Sequence, residues 1–314
     1  MLNRRLIRIK VFKVLYSKVA SESFSMNEAM RTLNDSCTGT LNLYYFILNA
    51  AVALRNVAMA KIETGLKKYI PTPEERNPNM KFVENAVSAY LASDAAFMTY
   101  CEKRGLVWTE DLALFIKKLY STICERDYFK EYMASEERSV EQDCELFIRI
   151  FVEEFNENED LETYLEDLSV YWMDDLTYVI NVIIRALEQF KNDRRFPSVD
   201  VYLKEDDREY AEKLLEASLL GYDRYSDMIL KAIANWEEER LVLADKVLTV
   251  QGIAEAVRFP NIPLKVTINE YVEISKFYST ANSRQFINGL LDRILKKLVA
   301  EGEVVKTGRG LIEN

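Results

Sequence analysis

The feature that most limits the possible folds is the shortage of residues that make tight turns. No glycine occurs between Gly105 and Gly221, and all 314 residues include 9 glycines and 6 prolines. Hairpins need such residues at short intervals, so a sheet-rich fold is disfavoured. Apolar residues instead recur at helical spacing, which indicates an all-α protein. In residues 140–155, for example, one helical face carries Cys144, Phe147, Ile148, Phe151, Val152 and Phe155.

Three interruptions divide the helical pattern into segments. Residues 71–78 contain three prolines, and proline breaks a helix because it lacks an amide hydrogen and clashes with the preceding turn. Further breaks are expected at residues 192–197 and 259–263, which also contain proline. No convincing internal repeat is present. We therefore expect long helices joined at these three points.

The residue types exclude the commonest catalytic and metal sites. The chain has no histidine, and its cysteines Cys37, Cys101, Cys124 and Cys144 form no CxxC pair. Ser-His and Cys-His nucleophile pairs and the usual zinc geometries are therefore excluded, and no Gly-rich phosphate loop occurs. We expect a protein that is not an enzyme, holds no cofactor or metal, and keeps reduced, buried thiols.

No segment of the sequence is typical of a secretory signal or a membrane span. The first residues lack an apolar region followed by a small-residue cleavage site. The most apolar stretch, residues 46–60, contains Asn49, Arg55 and Asn56, which favours a buried helix over a membrane span. We therefore expect a cytoplasmic protein.

Charge is unevenly distributed along this acidic chain. The net charge is −10, so nucleic acid is repelled on average, and RNA binding needs a local basic patch. Residues 1–18 supply a candidate patch, with six lysines and arginines and no acid. Residues 136–175 hold fifteen acids against Arg138 and Arg149. We interpret this acidic run as a solvated helix face, with a docking surface for a basic partner as the alternative.

Four blocks of residues resemble one protein family in their order and spacing. The chain opens with an arginine-rich helix, residues 4–16, that ends on Leu-Tyr. A Trp-x-x-x-Arg-Leu block follows at residues 236–241, and a Pro-Leu-Lys-Val-Thr-Ile-Asn-Glu block at residues 263–270. The last block, Ser-Arg-Gln-Phe-Ile-Asn-Gly-Leu-Leu-Asp, occupies residues 283–292. Together these blocks resemble the NusB family of transcription antitermination factors.

The resemblance implies an all-α, NusB-like core formed by residues 1–17 and 207–300. Residues 18–206 would then be a helical insertion of unknown role, and residues 301–314 a C-terminal tail. The implied function is transcription antitermination and ribosomal RNA synthesis, through binding of single-stranded boxA-type leader RNA. The implied partners are NusE, a ribosomal protein of the small subunit, and the RNA polymerase antitermination complex.

The basic start of the chain is the first predicted RNA-binding element. Arg4, Arg5 and Arg8 crowd a helix N-terminus, where they oppose the helix dipole, so helix stability does not explain them. Guanidinium groups match phosphate oxygens, which favours contact with the RNA backbone. A solvated surface patch that aids solubility is the alternative.

Apolar spacing predicts which side of this first helix is buried. Lys10 and Lys13 are expected to project away from the core. Tyr16 is interpreted as a core residue with an exposed hydroxyl or as a ring on which a base stacks. The face expected to pack on the core is formed by Ile9, Phe12, Leu15, Tyr16 and Val19.

The last core helix carries the second predicted RNA contact. Phe286 lies about 100° from the centre of the apolar stripe, at the edge of the buried face. The resemblance implies that this ring contacts RNA, and packing against a neighbouring helix is the alternative. Gly289 costs roughly 1 kcal/mol inside a helix, so a close approach of another backbone is expected there. The stripe itself is formed by Ile287, Leu290, Leu291, Ile294 and Leu298.

Contacts with a protein partner are predicted beside the Trp block. The resemblance implies that Glu239, Asp245 and Lys246 contact NusE, with an ordinary solvated helix face as the alternative. A competing function also follows from the large insertion. The chain would then be a helical protein–protein scaffold in ribosome biogenesis whose RNA surface is covered by residues 18–206.

Overall fold

The structure, a computed structural model, describes residues 1–22, 25–109, 111–234 and 241–311. Within these ranges it forms no strand, which confirms the all-α prediction, and its extended pairing is a single bridge between Leu2 and Tyr202. The helices in chain order are α1 (Arg4–Ala20), α2 (Met26–Leu66), α3 (Pro73–Arg76), α4 (Ala86–Ser93), α5 (Ala95–Lys103), α6 (Asp111–Glu125), α7 (Asp127–Ala134), α8 (Val140–Ile150), a π-helix (Phe151–Phe155), α9 (Glu159–Leu168), α10 (Leu176–Asp193), α11 (Asp207–Leu220), α12 (Tyr222–Ile233), α13 (Leu243–Arg258), α14 (Leu264–Tyr278), α15 (Ser283–Ala300) and a 3₁₀-helix (Gly308–Leu311).

The chain divides into two compact units. Residues 2–37 and 202–314 form one, called here the terminal unit. Met1 and residues 38–201 form the other, the middle unit. A compact unit is not by itself a family core, so the division into a core of residues 1–17 and 207–300 and an insertion of residues 18–206 stays a prediction.

Helix α13 forms the centre of the terminal unit. It packs against α1, α11, α12, α14 and α15. Every residue from Val247 to Ala256 is buried, including the polar Thr249, Gln251 and Glu255. A helix buried on all sides is typical of a core, and its polar groups need internal hydrogen-bond partners. Five other helices of this unit are therefore arranged around α13.

The middle unit has a hydrophobic core rich in aromatic rings. Phe46 of α2 is 1% exposed and stacks on the ring of Trp108 at 4.3 Å between centroids and on that of Trp172 at 5.2 Å. The indole nitrogen of Trp108 donates a hydrogen bond to the carbonyl oxygen of Phe46 at 3.0 Å. These contacts join helix α2 to two later segments of the same unit.

Helix α2 is long and apolar enough to cross a membrane, judged by length and composition. Core helices of soluble proteins meet the same criterion, and 61% of its most apolar window is buried. Of the predicted buried stretch, residues 46–60, residues 46–54 are almost all buried, whereas Asn56 and Ala60 are exposed.

The three predicted breaks are confirmed. Helix α2 ends at Leu66, and residues 71–78 contain the short helix α3, whose capping box pairs Thr72 with Glu75. Helix α10 ends at Asp193, followed by a left-handed residue. Helices α13 and α14 are separated by residues 259–263.

The helix expected over residues 140–155 changes its hydrogen-bond pattern part-way. After Ile150 it becomes a π-helix, in which the amide of Asn156 donates to the carbonyl of Phe151, five residues earlier. The wider turn rotates the following residues, so Val152 is 44% exposed and not on the buried face, as spacing had predicted. Glu154 is buried instead, bound by the guanidinium of Arg126 at 2.6 Å.

Candidate functional site

Helix α1 is buried on more sides than the spacing of its apolar residues predicted. Asn3 caps it, its side chain accepting a hydrogen bond from the amide of Leu6 at 3.0 Å. Phe12 is buried as predicted, but Tyr16 is 38% exposed. The prediction that Lys10 projects from the surface is wrong, because its side chain is 1% exposed. Helix α1 packs against both α11 and α13, so its buried surface extends around the helix.

Arg8 forms a buried ion pair with Glu255 at the centre of the terminal unit. Its Nε and Nη2 atoms lie 2.6 and 3.1 Å from the two carboxylate oxygens. Glu255 also accepts hydrogen bonds from the hydroxyls of Tyr210, Thr267 (2.8 Å) and Tyr271 (3.3 Å). Burial lowers the pKa of Arg8, but the charge of Glu255, its hydrogen bonds to the guanidinium and the nearby Tyr210 and Tyr271 together raise the pKa by more, so the guanidinium remains protonated. This pair fixes α1 against α13.

The other two arginines of α1 also meet carboxylates. Arg5 forms a two-point ion pair with Glu270 of α14 at 2.9 and 2.8 Å, and half of its side chain stays exposed. Arg4 contacts Asp206 at 2.7 Å and Asp207 at 3.1 Å. All three arginines therefore have internal partners, and their role in RNA binding stays a prediction.

Aromatic residues of α1 and α14 form what is called here the aromatic strip. It consists of Tyr16 and Tyr278, whose rings both lie near that of the buried Phe12, and of Phe277, the residue before Tyr278 in the chain. The Phe12 ring lies 5.9 Å from that of Tyr16 and 5.5 Å from that of Tyr278. The ammonium of Lys13 lies 5.5 Å from the centre of the Tyr278 ring. Phe277 is 81% exposed, so the strip offers open ring surface beside a cation.

The strip and Arg5 lie along the same pair of helices. Arg5, near the start of α1, meets Glu270 in the middle of α14, and Phe12 meets Tyr278 at the end of α14, so the two contacts advance in the same direction along both helices. Phe277 follows Glu270 by about two turns on the same helical face. Phe277 was not among the predicted site residues, although a large aromatic residue outside the apolar face of α14 was a detectable signal.

Phe286 of α15 is half-buried at the edge of the apolar stripe, as predicted. The five residues of that stripe are all buried. The Phe286 ring borders a recess of about 180 Å³ that Val242, Asp245 and Thr280 also line. The recess exposes part of the ring, and its contact with RNA stays a prediction.

The predicted partner-binding residues have different surroundings. Asp245 is 5% exposed and accepts hydrogen bonds from the hydroxyls of Ser279 at 2.5 Å and Ser283 at 2.8 Å. The ammonium of Lys246 lies 5.0 Å from the centre of the Tyr222 ring. Glu239 and the other residues from 235 to 240 lie outside the described residues, so contact with NusE stays a prediction.

Comparisons with known proteins agree on one family. The model of the NusB family matches residues 181–296. A transcription antitermination protein NusB from Salinibacter ruber is 40% identical over 116 residues, which cover 36% of this chain and 72% of the relative. The chain belongs to the NusB family. A homologue of the same name from Chloroherpeton thalassium is 35% identical over 34% of this chain and 50% of its own length. Another, from Thermodesulfovibrio yellowstonii, is 39% identical over 31% of this chain and 65% of its own length. No solved structure matches.

The NusB match covers part of the candidate site. It includes Glu255, the strip residues of α14, and Phe286, whereas α1 lies outside the matched residues. The relatives are named transcription antitermination proteins, which supports a role in transcription antitermination for this chain. Within the part of the chain that the structure describes, no group of three or more Cys, Asp or Glu side chains could hold a metal ion.

Replacing Asp245 by alanine is expected to lower the free energy of unfolding by about 1–3 kcal/mol, because two hydroxyl donors at the α14–α15 junction lose a charged acceptor. Thermal denaturation of the purified variant measures the loss. Asp292→Ala removes an acid that is 46% exposed and is expected to change stability by less than about 0.5 kcal/mol. Equal stability of the two variants would contradict the structural role of Asp245.

Gly289 does not have the close backbone neighbour predicted for it, because a Cβ atom there would meet nothing within 4 Å. Gly289→Ala is therefore expected to raise the free energy of unfolding by about 0.5–1 kcal/mol through its better helix propensity. Urea denaturation tests this. Gly252→Ala is the matched control and should destabilise, since its Cβ would lie 2.9 Å from Leu291 Cδ2. A destabilised Gly289→Ala variant would instead support a close approach at Gly289.

Proposed function

We propose that this NusB-family chain is a transcription antitermination and ribosomal RNA synthesis factor. It binds single-stranded boxA-type leader RNA together with NusE and acts in the cytoplasm as a binding protein, not as an enzyme. The observation that carries the proposal is the aromatic strip, in which the rings of Tyr16 and Phe277 are exposed and the half-buried ring of Tyr278 lies beside Lys13. Single-stranded RNA is recognised by stacking of unpaired bases on such rings and by cations that contact phosphates.

The distribution of charge between the two units supports RNA binding by the terminal unit. The terminal unit contains 23 lysines and arginines against 22 acids. The middle unit contains 18 lysines and arginines and 29 aspartates and glutamates. The acidic excess of the chain therefore belongs to the middle unit, and the residues of the strip are not embedded in an acidic sequence. This removes the main electrostatic objection to RNA binding by an acidic protein.

Within the strip, each group has a chemical role. Two bases stack on the exposed faces of Tyr16 and Phe277, and Lys13 contacts a phosphate between them. Arg5 adds a second cation, since its side chain is half exposed despite the ion pair with Glu270. Phe286 is proposed as a further stacking ring on the neighbouring helix α15. The buried ion pair of Arg8 with Glu255 holds α1, which carries Tyr16 and Lys13, against α13.

Fluorescence anisotropy with labelled boxA-type RNA tests the proposal. Tyr16→Ala and Phe277→Ala are each expected to weaken binding about 5- to 150-fold, which corresponds to the 1–3 kcal/mol of one stacked base. Tyr69→Ala is the matched control, because Tyr69 is a fully exposed tyrosine of the middle unit. Binding that is unchanged in both strip variants would exclude the strip as the RNA surface.

The same titration separates RNA binding from the scaffold alternative. The acidic middle unit is the feature that favours a scaffold, since it suits a basic protein partner. A scaffold whose RNA surface is covered would bind neither boxA-type RNA nor a scrambled sequence. The proposal instead requires tighter binding of the boxA-type sequence and an affinity that falls as salt rises. Adding purified NusE is expected to strengthen the binding further.

A further inference from the structure

The C-terminal segment, residues 304–311, is held firmly against the loop between α13 and α14. The ammonium of Lys306 donates hydrogen bonds to the carbonyls of Ala256 at 2.8 Å and Phe259 at 3.1 Å. The amide of Thr307 donates to the carbonyl of Pro260 at 3.1 Å. This segment begins after the NusB match ends at residue 296, so the family resemblance assigns it no role.

Gly310 fixes how closely this segment approaches the loop. It is buried, and a Cβ atom at this position would lie 1.9 Å from the carbonyl oxygen of Pro260. Such a distance is far below van der Waals contact, so any other residue would displace the segment or the loop. The close approach positions the neighbouring Arg309 at the edge of an open groove of the terminal unit.

This groove has a volume of about 580 Å³ and a strongly basic lining. Four cations and two amides contribute to it, and none of its lining residues carries a carboxylate. The apolar remainder includes the exposed side chain of Val266. The polar lining residues are Arg4, Arg8, Lys265, Arg309, Asn261 and Asn269.

The cations of the groove differ in how far their charge is compensated. Arg4 and Arg8 are held by carboxylates of the protein. Arg309 is exposed and forms no ion pair or hydrogen bond with its side chain among the residues that the structure describes. Asn269 is likewise exposed and has no side-chain hydrogen bond among those residues. Arg309 is thus a cation open to an external anion.

We propose that Arg309 and the basic groove form a phosphate-binding subsite for single-stranded RNA, completed by the C-terminal segment. The guanidinium matches two phosphate oxygens, and the amide of Asn269 offers a donor and an acceptor for a base or ribose. The subsite rests on the proposed RNA-binding function and extends it beyond the matched family core. It also gives the close packing of Gly310 a purpose, which is to hold Arg309 at the groove.

Salt-dependent anisotropy on the full chain with single-stranded RNA tests the subsite. Arg309→Ala is expected to weaken binding roughly five- to tenfold and to reduce the log–log salt slope by about 0.7, the value for one phosphate that is no longer neutralised. Arg309→Lys is expected to keep the salt slope but to bind RNA less tightly, because lysine retains the charge and lacks the planar guanidinium that binds two phosphate oxygens. Gly310→Val should weaken binding to a similar extent with Arg309 still present.

Lys296→Ala is the matched control. It also removes one exposed positive charge, but Lys296 lies on α15 and does not line the groove. If Arg309→Ala changes binding no more than Lys296→Ala while the strip variants still weaken it, the subsite is wrong and the proposed function stands. If the unaltered protein binds no RNA at all, both proposals fail. Circular dichroism confirms that each variant remains folded.

Discussion

Replacing Glu255 by alanine is expected to lower the free energy of unfolding by about 3–5 kcal/mol, the cost of leaving one partner of a buried ion pair uncompensated. The Glu255 carboxylate is fully buried and binds both Nε and Nη2 of Arg8. It is also the acceptor for the hydroxyls of Tyr210, Thr267 and Tyr271. Its removal leaves three buried hydroxyl donors without this acceptor and leaves Arg8 with the more distant carboxylate of Glu270, 3.5 Å from Nη1. Urea denaturation followed by circular dichroism measures the loss.

Two controls make the Glu255 result specific. Glu273→Gln changes an exposed acid of α14 and is expected to shift stability by less than about 0.5 kcal/mol. The double variant Arg8→Met/Glu255→Leu replaces both charges by apolar groups and should recover part of the loss, because no charge is then buried alone. Recovery is incomplete, since the hydroxyl donors still lack an acceptor. A Glu255→Ala variant as stable as Glu273→Gln would contradict the central role of this carboxylate.

Truncating Phe46 to alanine is expected to cost about 3–5 kcal/mol of stability in the middle unit, through reduced burial and the cavity left behind. The ring stacks on both Trp108 and Trp172, so its removal also changes the surroundings of two tryptophans. Near-ultraviolet circular dichroism and tryptophan fluorescence should therefore change together with the denaturation midpoint. The expected RNA affinity of the folded variant is unchanged, because the proposed RNA surface belongs to the terminal unit.

Phe46→Leu separates packing volume from aromatic stacking. It keeps most of the apolar packing, so it is expected to lower the free energy of unfolding by less than Phe46→Ala does. The stability that it does lose includes about 0.5–1.5 kcal/mol for each ring–ring pair. Tyr69→Ala again serves as the exposed control. If Phe46→Ala unfolds at the same denaturant concentration as Tyr69→Ala, the aromatic stack does not hold the middle unit together.

Local spacing predicted some faces of the helices and failed at others. The apolar stripe of α15 and the edge position of Phe286 were predicted correctly, because α15 buries one continuous face. Spacing failed for Lys10, whose helix is buried on more than one side. It failed again at Val152, where a π-helix rotates the chain relative to an α-helical repeat. Both failures arise where neighbouring segments, and not the local repeat, decide which side chains are buried.

By itself, the sequence determined that this protein is all-α, where its three proline-containing breaks fall, and which blocks mark the NusB family. These properties depend on residues that are close together in the chain, since helical repeats and proline act locally. Tertiary structure decided that Arg8 is buried against Glu255, 247 residues away, and that the rings of Tyr16 and Phe277 are exposed. Whether a charge is compensated or a ring is covered depends on partners from distant segments, and no local pattern specifies them.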